Sequence, residues 1–427
     1  MEINLPHIHK IEGDAGFWAR VTKEGKIEEL RLQTHLGLRQ IEGIMVGRKM
    51  KDVPLIISRV CGICPVVHIL NGIIALEKSI SVEASPTIVL IRKLFLASQI
   101  IQSHALHLFF MALPDFFDIE NDIELTKKFP KEADAAIKVR DYALNITRLI
   151  GGRVVHPITP KIGGFSKLPE KTKLESVLDD YNEALKGALI LSERMKKISY
   201  PEIKREILFA SLFSKDEYPY YQAELMKIGD KKLSIGDFYS NEISEDLKHP
   251  PVKKVKYKGM PYMLGAIARI KNNGELLHPI AKENFESFLK EKNITKNDFF
   301  KNIFNNLISQ GIEVIHFIEE SKELIEKILK EELLQPGAEI KIREKQSAGL
   351  SAMEAPRGTL FDYFETDQEG RIFNCNIITP TAQFLYSVEE DLKIFIPKVI
   401  KLSEKERIKK LRSLVRIYDP CISCATH

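Results

Sequence analysis

Four of the five cysteines of this chain fall into two pairs that have the same spacing. Cys61 and Cys64 lie in the segment Arg-Val-Cys-Gly-Ile-Cys-Pro-Val-Val-His, and Cys421 and Cys424 lie in the segment Asp-Pro-Cys-Ile-Ser-Cys-Ala-Thr-His. Two residues between cysteines allow both thiolates to reach one metal ion from a single turn of backbone. This spacing is typical of zinc, iron–sulfur and redox sites.

A structural zinc site is one interpretation of the two pairs. In zinc ribbons, however, the pairs are usually about 15 to 20 residues apart, whereas here almost the whole chain of 427 residues separates them. A zinc ion would then join two distant parts of the chain. A thioredoxin-type redox motif is a second interpretation, but neither pair begins the helix of an evident βαβ unit.

Composition limits the class of protein and its partners. The 63 basic and 59 acidic side chains give a net charge of +4, which does not favour nucleic acid or an anionic membrane as the main partner. We find no uninterrupted apolar run of about 20 residues, the length that a membrane span needs. The first residues carry charges and histidines, whereas a signal peptide would be apolar there. Few cysteines argue against a disulfide framework. We therefore expect a cytoplasmic protein without a membrane span.

The periodicity of apolar residues predicts a mainly α-helical chain with small β elements. Helices are predicted at 85–113, 131–149, 173–197 and 284–333, and strands at 16–22, 26–32, 338–343 and 358–364. A short strand or turn is predicted at 235–239, inside an irregular region from about 200 to 261. No linker or domain boundary is evident, so we expect one α+β domain over residues 1–427.

The two cysteine segments resemble the two signatures of the large, catalytic subunit of nickel–iron hydrogenases. Both signatures, Arg-x-Cys-Gly-x-Cys-x-x-x-His and Asp-Pro-Cys-x-x-Cys-x-x-His, are complete. Shorter blocks similar to this family occur in the same order, at 10–13 (Lys-Ile-Glu-Gly), 39–42 (Arg-Gln-Ile-Glu), 151–153 with 156–157, 354–358 (Glu-Ala-Pro-Arg-Gly) and 380–381. The resemblance covers the full length, implies the hydrogenase large-subunit fold with both pairs meeting in its centre, and makes zinc a minor alternative.

The resemblance assigns each cysteine a role. In the family all four bind nickel, and the second cysteine of each pair also bridges to iron. Cys61 and Cys421 would therefore be terminal nickel ligands, and Cys64 and Cys424 would be bridges. Soft thiolates suit both metals. The iron of the family also carries two cyanides and one carbon monoxide, which no side chain can supply.

Three further residues are implied to act around this centre. Arg357, through its charged fork, and Thr381, through its hydroxyl group, match family positions beside the cyanides and carbon monoxide. His68 matches a residue that supports the bridging sulfur by a hydrogen bond. Without the resemblance, Arg357 would be interpreted as a surface arginine after a proline turn, and His68 as a core histidine with its hydrogen bonds satisfied.

A proton acceptor and a second ion site are also implied. Glu12 matches the glutamate that the family places against the terminal thiolate of Cys421, where it can take the proton released from dihydrogen. Glu42, His427 and a backbone carbonyl near Ile377 match the groups that hold a magnesium or iron ion behind the site.

The implied function is reversible heterolytic cleavage of dihydrogen into protons and electrons. Only one cysteine lies outside the two pairs, too few for iron–sulfur clusters, so electrons are expected to leave through an iron–sulfur small subunit and further electron-transfer subunits. A maturation protease and nickel and iron insertion proteins are implied as well. The segment 102–107 is similar to cytoplasmic members that reduce deazaflavin, nicotinamide or heterodisulfide. Because family precursors usually lose a C-terminal extension, we expect that the chain is the mature form or that its gene lacks the extension.

Some residues depart from the family pattern. Gln40 stands where the family usually has glycine, and 382–384 differ from the tryptophan and asparagine of many members. These departures leave the electron acceptor open. Two alternatives remain: a non-catalytic scaffold joined by zinc, and a related quinone-reducing respiratory-complex subunit, which lacks the four cysteines. Cys375, outside both pairs, is expected to pack as a small buried residue.

Overall fold

Helices make up most of the fold, as the sequence predicts. The computed structural model describes residues 2–22, 25–34, 37, 40–246, 252–331 and 345–427. In these ranges the α-helices are α1 (Ile41–Met45), α2 (Val53–Ile57), α3 (Pro65–Ser79), α4 (Pro86–Leu106), α5 (Asp122–Lys128), α6 (Pro130–Gly151), α7 (Lys171–Glu175), α8 (Tyr181–Lys196), α9 (Ile235–Asp237), α10 (Ala266–Asn273), α11 (Pro279–Lys292), α12 (Lys296–Phe300), α13 (Asn306–Lys330), α14 (Pro380–Val399), α15 (Glu404–Ile417) and α16 (Ile422–Ala425).

The strands form small antiparallel sheets, which confirms the expected α+β class. They are β1 (Glu2–Leu5), β2 (Ala15–Val21), β3 (Ile27–Thr34), β4 (Pro160–Lys161), β5 (Gly164–Phe165), β6 (Ala210–Phe213), β7 (Leu225–Ile228), β8 (Lys231–Ser234), β9 (Ile243–Asp246), β10 (Lys254–Tyr257), β11 (Ser347–Ala355), β12 (Gly358–Thr366) and β13 (Ile372–Ile378). The sheets have the orders β1-β2-β3, β4-β5, β6-β7-β8, β10-β9 and β11-β12-β13. The β2–β3 hairpin and β12 confirm three of the predicted strands.

Helix α4 lies in the centre of the main core. Its start is fixed by Ser85, whose side chain accepts a hydrogen bond from Ile88 N (3.4 Å), and by Pro86 in the first turn. The segment Pro86–Phe116 has the length and apolar composition of a membrane-crossing helix, but 89% of its most apolar stretch of 18 residues is buried inside the protein. Because α4 packs against α6 and α13, its apolar surface is accounted for by contacts within the chain.

The sheet β11-β12-β13 has apolar side chains on both faces. On one face, Met353 and Leu360 belong to the main core, beside α3; on the other face, Ala352 and Phe361 belong to a smaller apolar group. Successive side chains of a strand point to opposite faces, so this one sheet joins the two groups. A single domain over 1–427 agrees with this arrangement and stays a prediction.

The region from 200 to 261 is more regular than the sequence predicts. Residues 235–239 lie in the helical turns of α9 and of Phe238–Glu242 and form no strand. The turn begins because Ser234 Oγ accepts a hydrogen bond from Asp237 N (3.0 Å). Strands β6 to β10 were not predicted, since four residues place only two side chains on each face and give no readable period.

The helix predicted at 284–333 is interrupted in the structure. Asn293 adopts a left-handed conformation (φ 51°) that ends α11, and Thr295 with Asp298 forms a capping box that begins α12. The helix predicted at 173–197 is likewise divided into α7, a 3₁₀ turn and α8. The strand predicted at 338–343 lies outside the described residues.

Candidate metal centre

The two cysteine pairs meet in the main core and form one four-sulfur cluster. Cys61 Sγ lies 3.5 Å from Cys421 Sγ, and Cys64 Sγ lies 3.3 Å from Cys424 Sγ. All four sulfur atoms lie within 4.8 Å of one another, and each cysteine is at most 3% exposed. Each pair therefore contributes half of one site, which places both motifs in the centre of the fold.

Local backbone geometry turns the first pair inward. Cys61 is extended (φ −148°), and its sulfur accepts hydrogen bonds from Ile63 N and Cys64 N, both 3.3 Å long. Helix α3 begins directly afterwards with Pro65, and Val66 N at its start donates to the side chain of Gln99 on α4 (2.6 Å). The first motif is thus anchored to the central helix.

The second pair is held by the segment that carries Glu12. Glu12 and Cys421 form an isolated parallel β-bridge, in which Ile422 N donates to Glu12 O (2.8 Å). The next residue, Gly13, has φ +85°, a conformation that glycine adopts without strain. Backbone pairing therefore places the Glu12 side chain beside the cysteine.

The Glu12 carboxylate contacts the cluster directly. Cys421 Sγ donates to Glu12 Oε2 (3.0 Å), Ser423 N donates to the same oxygen (3.0 Å), and Ser423 Oγ donates to Glu12 Oε1. Glu12 is only partly buried. It therefore joins a fully buried sulfur to a more exposed part of the chain, as a proton acceptor would.

A small cavity lies beside three of the four cysteines. It is lined by Cys64, His68, Ala355, Pro356, Arg357, Leu360, Pro380, Thr381, Cys421 and Cys424. Most of its wall is apolar, and its polar side chains are those that the family resemblance implies. Cys61 does not line it, so the cavity lies on the side of the Cys64–Cys424 pair.

Arg357 and Thr381 are oriented so that each can offer a donor to this cavity. Arg357 Nε donates to Asp419 O (2.6 Å) and Nη2 donates to Asp419 Oδ1 (2.9 Å). Its Nη1 atom is buried and has no hydrogen-bond partner among the described residues. Thr381 Oγ1 accepts from Cys421 N (3.0 Å), which leaves its hydroxyl hydrogen for a ligand. These donors fit small acceptor ligands such as cyanide.

His68 lies on α3, four residues after Cys64. Its Nε2 atom lies 3.6 Å from Cys424 Sγ, within the longer range of hydrogen bonds to sulfur. The ring is almost completely buried. The structure therefore brings His68 to one sulfur of the Cys64–Cys424 pair.

The four thiols are too close and too buried to ionise together without a cation. Burial raises the pKa values of Cys64, Cys421 and Cys424 above their ordinary value, whereas hydrogen bonds from the other thiols lower that of Cys61 in spite of its burial. A metal ion deprotonates the thiols that bind it. The cluster therefore fits a soft metal better than four free thiols.

Glu42, Ile377 and His427 also come together, behind the cysteines. His427 Nε2 lies 2.9 Å from Ile377 O and 3.5 Å from Glu42 Oε1, while Ile377 N donates to Glu42 Oε1 (2.7 Å). The sequence did not predict a fourth member, Lys253, whose Nζ donates to Glu42 Oε1 (2.6 Å). Burial raises the pKa of Glu42, but His427 and Lys253 together lower it to about 2. This carboxylate is ionised in the fold.

Other residues considered from the sequence lie away from the sulfur atoms. His104 Nε2 is 2.9 Å from Glu313 Oε2. His107 Nε2 donates to Arg416 O (2.8 Å). Cys375 is buried outside the cluster and donates to Glu42 O (3.3 Å). None of these contacts is a contact with the four cysteines.

Sequence reasoning missed several residues that shape the site. Asp419 and Ser423 lie inside the second motif, but the sequence did not indicate that Asp419 would contact Arg357 or that Ser423 would contact Glu12. No sequence pattern indicated a role for Gly265. It has φ +85°, and a Cβ there would lie 3.1 Å from Arg357 O, so glycine permits the close approach of the backbone that carries Arg357.

Comparison with known proteins agrees with this geometry. A family model described as nickel-dependent hydrogenase matches residues 39–146 and 167–427. Sulfhydrogenase 1 subunit alpha of Pyrococcus furiosus is 32% identical over 431 residues, covering 100% of this chain and 98% of the relative. Sulfhydrogenase 2 subunit alpha of the same organism is 28% identical over 444 residues, covering 100% and 99%.

Solved structures show the same fold over the whole chain. An NAD⁺-reducing [NiFe]-hydrogenase in the H₂-reduced state has a TM-score of 0.86 at 24% identity and covers 100% of this chain and 99% of its own. The Ni-Fe-Se hydrogenase from D. vulgaris Hildenborough has a TM-score of 0.79 at 19% identity and covers 100% of both chains. Together with the matched family model, these results show that the chain belongs to the nickel-dependent hydrogenase family, as the catalytic large subunit of such an oxidoreductase.

Proposed function

We propose that this chain cleaves dihydrogen heterolytically and reversibly at a nickel–iron centre that its four cysteines hold. All four cysteines would hold the nickel, and Cys64 and Cys424 would also hold the iron. The bound metals would supply the soft Lewis acids that polarise dihydrogen and take up its electrons. The observation that carries this proposal is the position of the cavity, which is lined by Cys64, Cys421 and Cys424 and not by Cys61. The side of the cluster that holds both proposed bridging cysteines is thus the side on which a second metal would lie.

The cavity wall supports an iron that carries two cyanides and one carbon monoxide. Arg357 Nη1 is a buried donor without a partner among the described residues, and the Thr381 hydroxyl group retains its hydrogen. A buried donor left unpaired is costly, so an acceptor in the cavity would stabilise it. The apolar side chains of Ala355, Pro356 and Leu360 suit carbon monoxide, which is a poor hydrogen-bond acceptor.

The proton leaves the centre through Glu12. Its Oε2 atom lies 3.0 Å from Cys421 Sγ, a distance that permits direct transfer from a protonated sulfur to the carboxylate. Ser423 holds both carboxylate oxygens through its backbone N and its hydroxyl group. Ser423 thereby orients Glu12. His68, by its contact with Cys424 Sγ, positions a bridging sulfur and takes no part in this proton step.

Electrons leave through an iron–sulfur small subunit that docks on the face around the first cysteine motif. Six exposed large apolar side chains, between 47% and 68% exposed, lie in segments close to this motif in the chain or in contact with such segments: Ile44, Val46, Leu55, Val155, Ile158 and Phe373. Hydrogen bonds join the segments that carry them, from Gly47 N to Ile372 O (2.8 Å) and from His156 Nδ1 to Ser58 O (2.7 Å). Exposed apolar groups of this kind mark protein interfaces, and this one would place a cluster near Cys61.

Further subunits and assembly factors belong to the same proposal. The sulfhydrogenase relatives are named as alpha subunits, and we extend that subunit organisation to this chain, with additional electron-transfer subunits. A buried four-sulfur site must be loaded before the surrounding segments close, which supports nickel and iron insertion proteins and a maturation protease. We place the complex in the cytoplasm.

An infrared spectrum of the purified holoenzyme tests the proposed centre. Metal-bound cyanide and carbon monoxide absorb in a region where polypeptide does not, so we expect bands from both ligands. Elemental analysis of the same sample should find nickel together with iron. Zinc without nickel, or a spectrum without these bands, would support the scaffold alternative and refute the proposal.

A further inference from the structure

The Lys253 ammonium group contacts two of the three groups expected to hold the second ion, Glu42 and the carbonyl group of Ile377. Its Nζ lies 2.6 Å from Glu42 Oε1, 2.8 Å from Asn376 Oδ1 and 3.4 Å from Ile377 O. Glu245 Oε2 lies 3.7 Å away. The lysine side chain is only 17% exposed. Lys253 is therefore surrounded by oxygen atoms, as a bound cation would be.

The predicted magnesium or iron ion does not fit beside this ammonium group. An ion bound to Glu42 Oε1 and Ile377 O at about 2.0 to 2.6 Å would lie next to Nζ, which hydrogen-bonds the same two oxygens. At that separation two positive charges in a mostly buried site repel each other strongly. Glu42 Oε1 also accepts a hydrogen bond from Ile377 N, and Ile377 O lies 2.9 Å from His427 Nε2.

We propose that the Lys253 ammonium group is the cation of this site and takes the place of a divalent metal ion. Lys253 then acts as a positioning residue. It holds Glu42 and Ile377 O, these contact His427, and His427 Nδ1 donates to Cys424 O (2.5 Å). A fixed charge in the chain thereby positions the segment that carries two of the metal-binding cysteines.

The position of Lys253 explains how this contact reaches the cysteines. Lys253 directly precedes β10, which packs on α14, and α14 packs on α16, the short helix that contains Cys424. The neighbouring Lys254 faces another partner, Glu389, at 2.5 Å. Adjacent lysines thus hold different carboxylates, and only Lys253 reaches Glu42 and the carbonyl group of Ile377.

Asp362, which lies opposite Ile377 in the sheet, is a second carboxyl group beside this site. It is fully buried, and neither of its oxygens has a hydrogen-bond partner among the described residues. Such atoms can mark a bound water or ion. Asp362 on β12 pairs with Ile377 on β13, so the metal measurements include an Asp362→Asn variant.

The first test measures metals in the wild-type holoenzyme after treatment with a chelator. We expect less than about one tenth of a magnesium or manganese ion per large subunit at this site. Anomalous diffraction collected at the iron and manganese edges should show no peak between Glu42 Oε1, Ile377 O and His427 Nε2. One tightly bound ion at this position in the wild type would overturn the proposal, whether or not the Asp362→Asn variant loses that ion. This result is independent of dihydrogen chemistry.

The second test uses Lys253→Ala, with Lys254→Ala as the matched control. Removing the lysine leaves the mostly buried charge of Glu42 uncompensated, which loosens the segment that carries Cys424. Nickel should therefore dissociate from Lys253→Ala at least about tenfold faster than from the wild type. Millimolar magnesium should restore retention in Lys253→Ala and have no effect on the control or the wild type. Lys253→Arg, which keeps the charge, should retain nickel without magnesium. Magnesium dependence in the wild type, or wild-type retention in Lys253→Ala, would refute the proposal.

Discussion

Cys421 Sγ lies 3.0 Å from Glu12 Oε2, although 409 positions separate the two residues in the chain. The contact is made by a backbone bridge between the same two residues and by Ser423, which binds both carboxylate oxygens. The carboxylate therefore has one orientation and a sulfur within hydrogen-bond distance. This contact joins the metal site to the partly exposed N-terminal segment, and the proposed proton route begins there.

Glu12→Gln keeps the shape of the side chain and removes its titratable proton. Dihydrogen oxidation and exchange of hydrogen isotopes with solvent should both fall by about tenfold or more, the lower end of what general acid–base groups contribute. Nickel and iron contents, and electron transfer from the small subunit to a dye, should stay at wild-type values. Exchange at the wild-type rate in a fully metallated variant would exclude Glu12 and direct attention to His104 or His107.

Cys64→Ser should abolish turnover and iron retention. A serine hydroxyl group ionises far less readily than a thiol and does not bridge two soft metals. The matched control is Cys375→Ser, because Cys375 is also a buried cysteine but lies outside the cluster. We expect the control to keep its infrared bands and its activity. Metal-bound cyanide and carbon monoxide bands together with activity in Cys64→Ser would contradict the bridging role.

Arg357→Lys should keep a positive charge but lose the fork that Asp419 holds. Lysine cannot donate to Asp419 through two nitrogens and also present a third towards the cavity. We expect the cyanide bands to shift in the infrared spectrum and dihydrogen oxidation to fall about tenfold or more, as losses of charged donors commonly do. Unchanged cyanide bands would show that Arg357 does not face these ligands.

The ion pair of His278 and Glu320 predicts a pH-dependent stability, away from the metal centre. His278 Nε2 lies 2.8 Å from Glu320 Oε2. Burial opposes both charges, yet the pair lowers the pKa of Glu320 from 4.5 to about 2 and raises that of His278 above 6.5. The Glu320 contribution is lost as pH falls from about 4.5 towards 2, and the His278 contribution is lost as pH rises through its raised pKa.

Glu320→Gln should therefore lower the thermal midpoint most between pH 4.5 and 6.5, and the difference from the wild type should shrink above and below that range. The control is Glu323→Gln, since Glu323 is 4.0 Å from His278 and about half exposed. It should change the midpoint little at any pH. A Glu320→Gln effect that does not vary between pH 4 and 8 would contradict the pairing.

The sequence predicted those parts of the site that lie in its two motifs or in blocks that resemble the family. Glu12, Arg357, Thr381 and His68 all reach the cysteines, and the long apolar segment of α4 became the core helix. The strands from β6 to β10 were missed because they are too short to show a period.

Long-range partners could not be predicted from local pattern. Lys253 lies 211 positions from Glu42 in the sequence, in a segment with two adjacent lysines. Nothing in that segment indicates which lysine turns inward or which carboxylate it meets. The contact depends on the packing of β10 and α14, which only the folded chain shows.

X-ray absorption at the nickel edge of the purified holoenzyme tests the central claim most directly. The claim is that one nickel ion is bound by all four cysteine sulfurs and shares Cys64 and Cys424 with an iron. We predict a first shell made up of four sulfur atoms and an iron scatterer just beyond it, with the iron signal lost in Cys64→Ser. Nickel bound mainly by nitrogen or oxygen, or no iron neighbour in the wild type, would contradict the account.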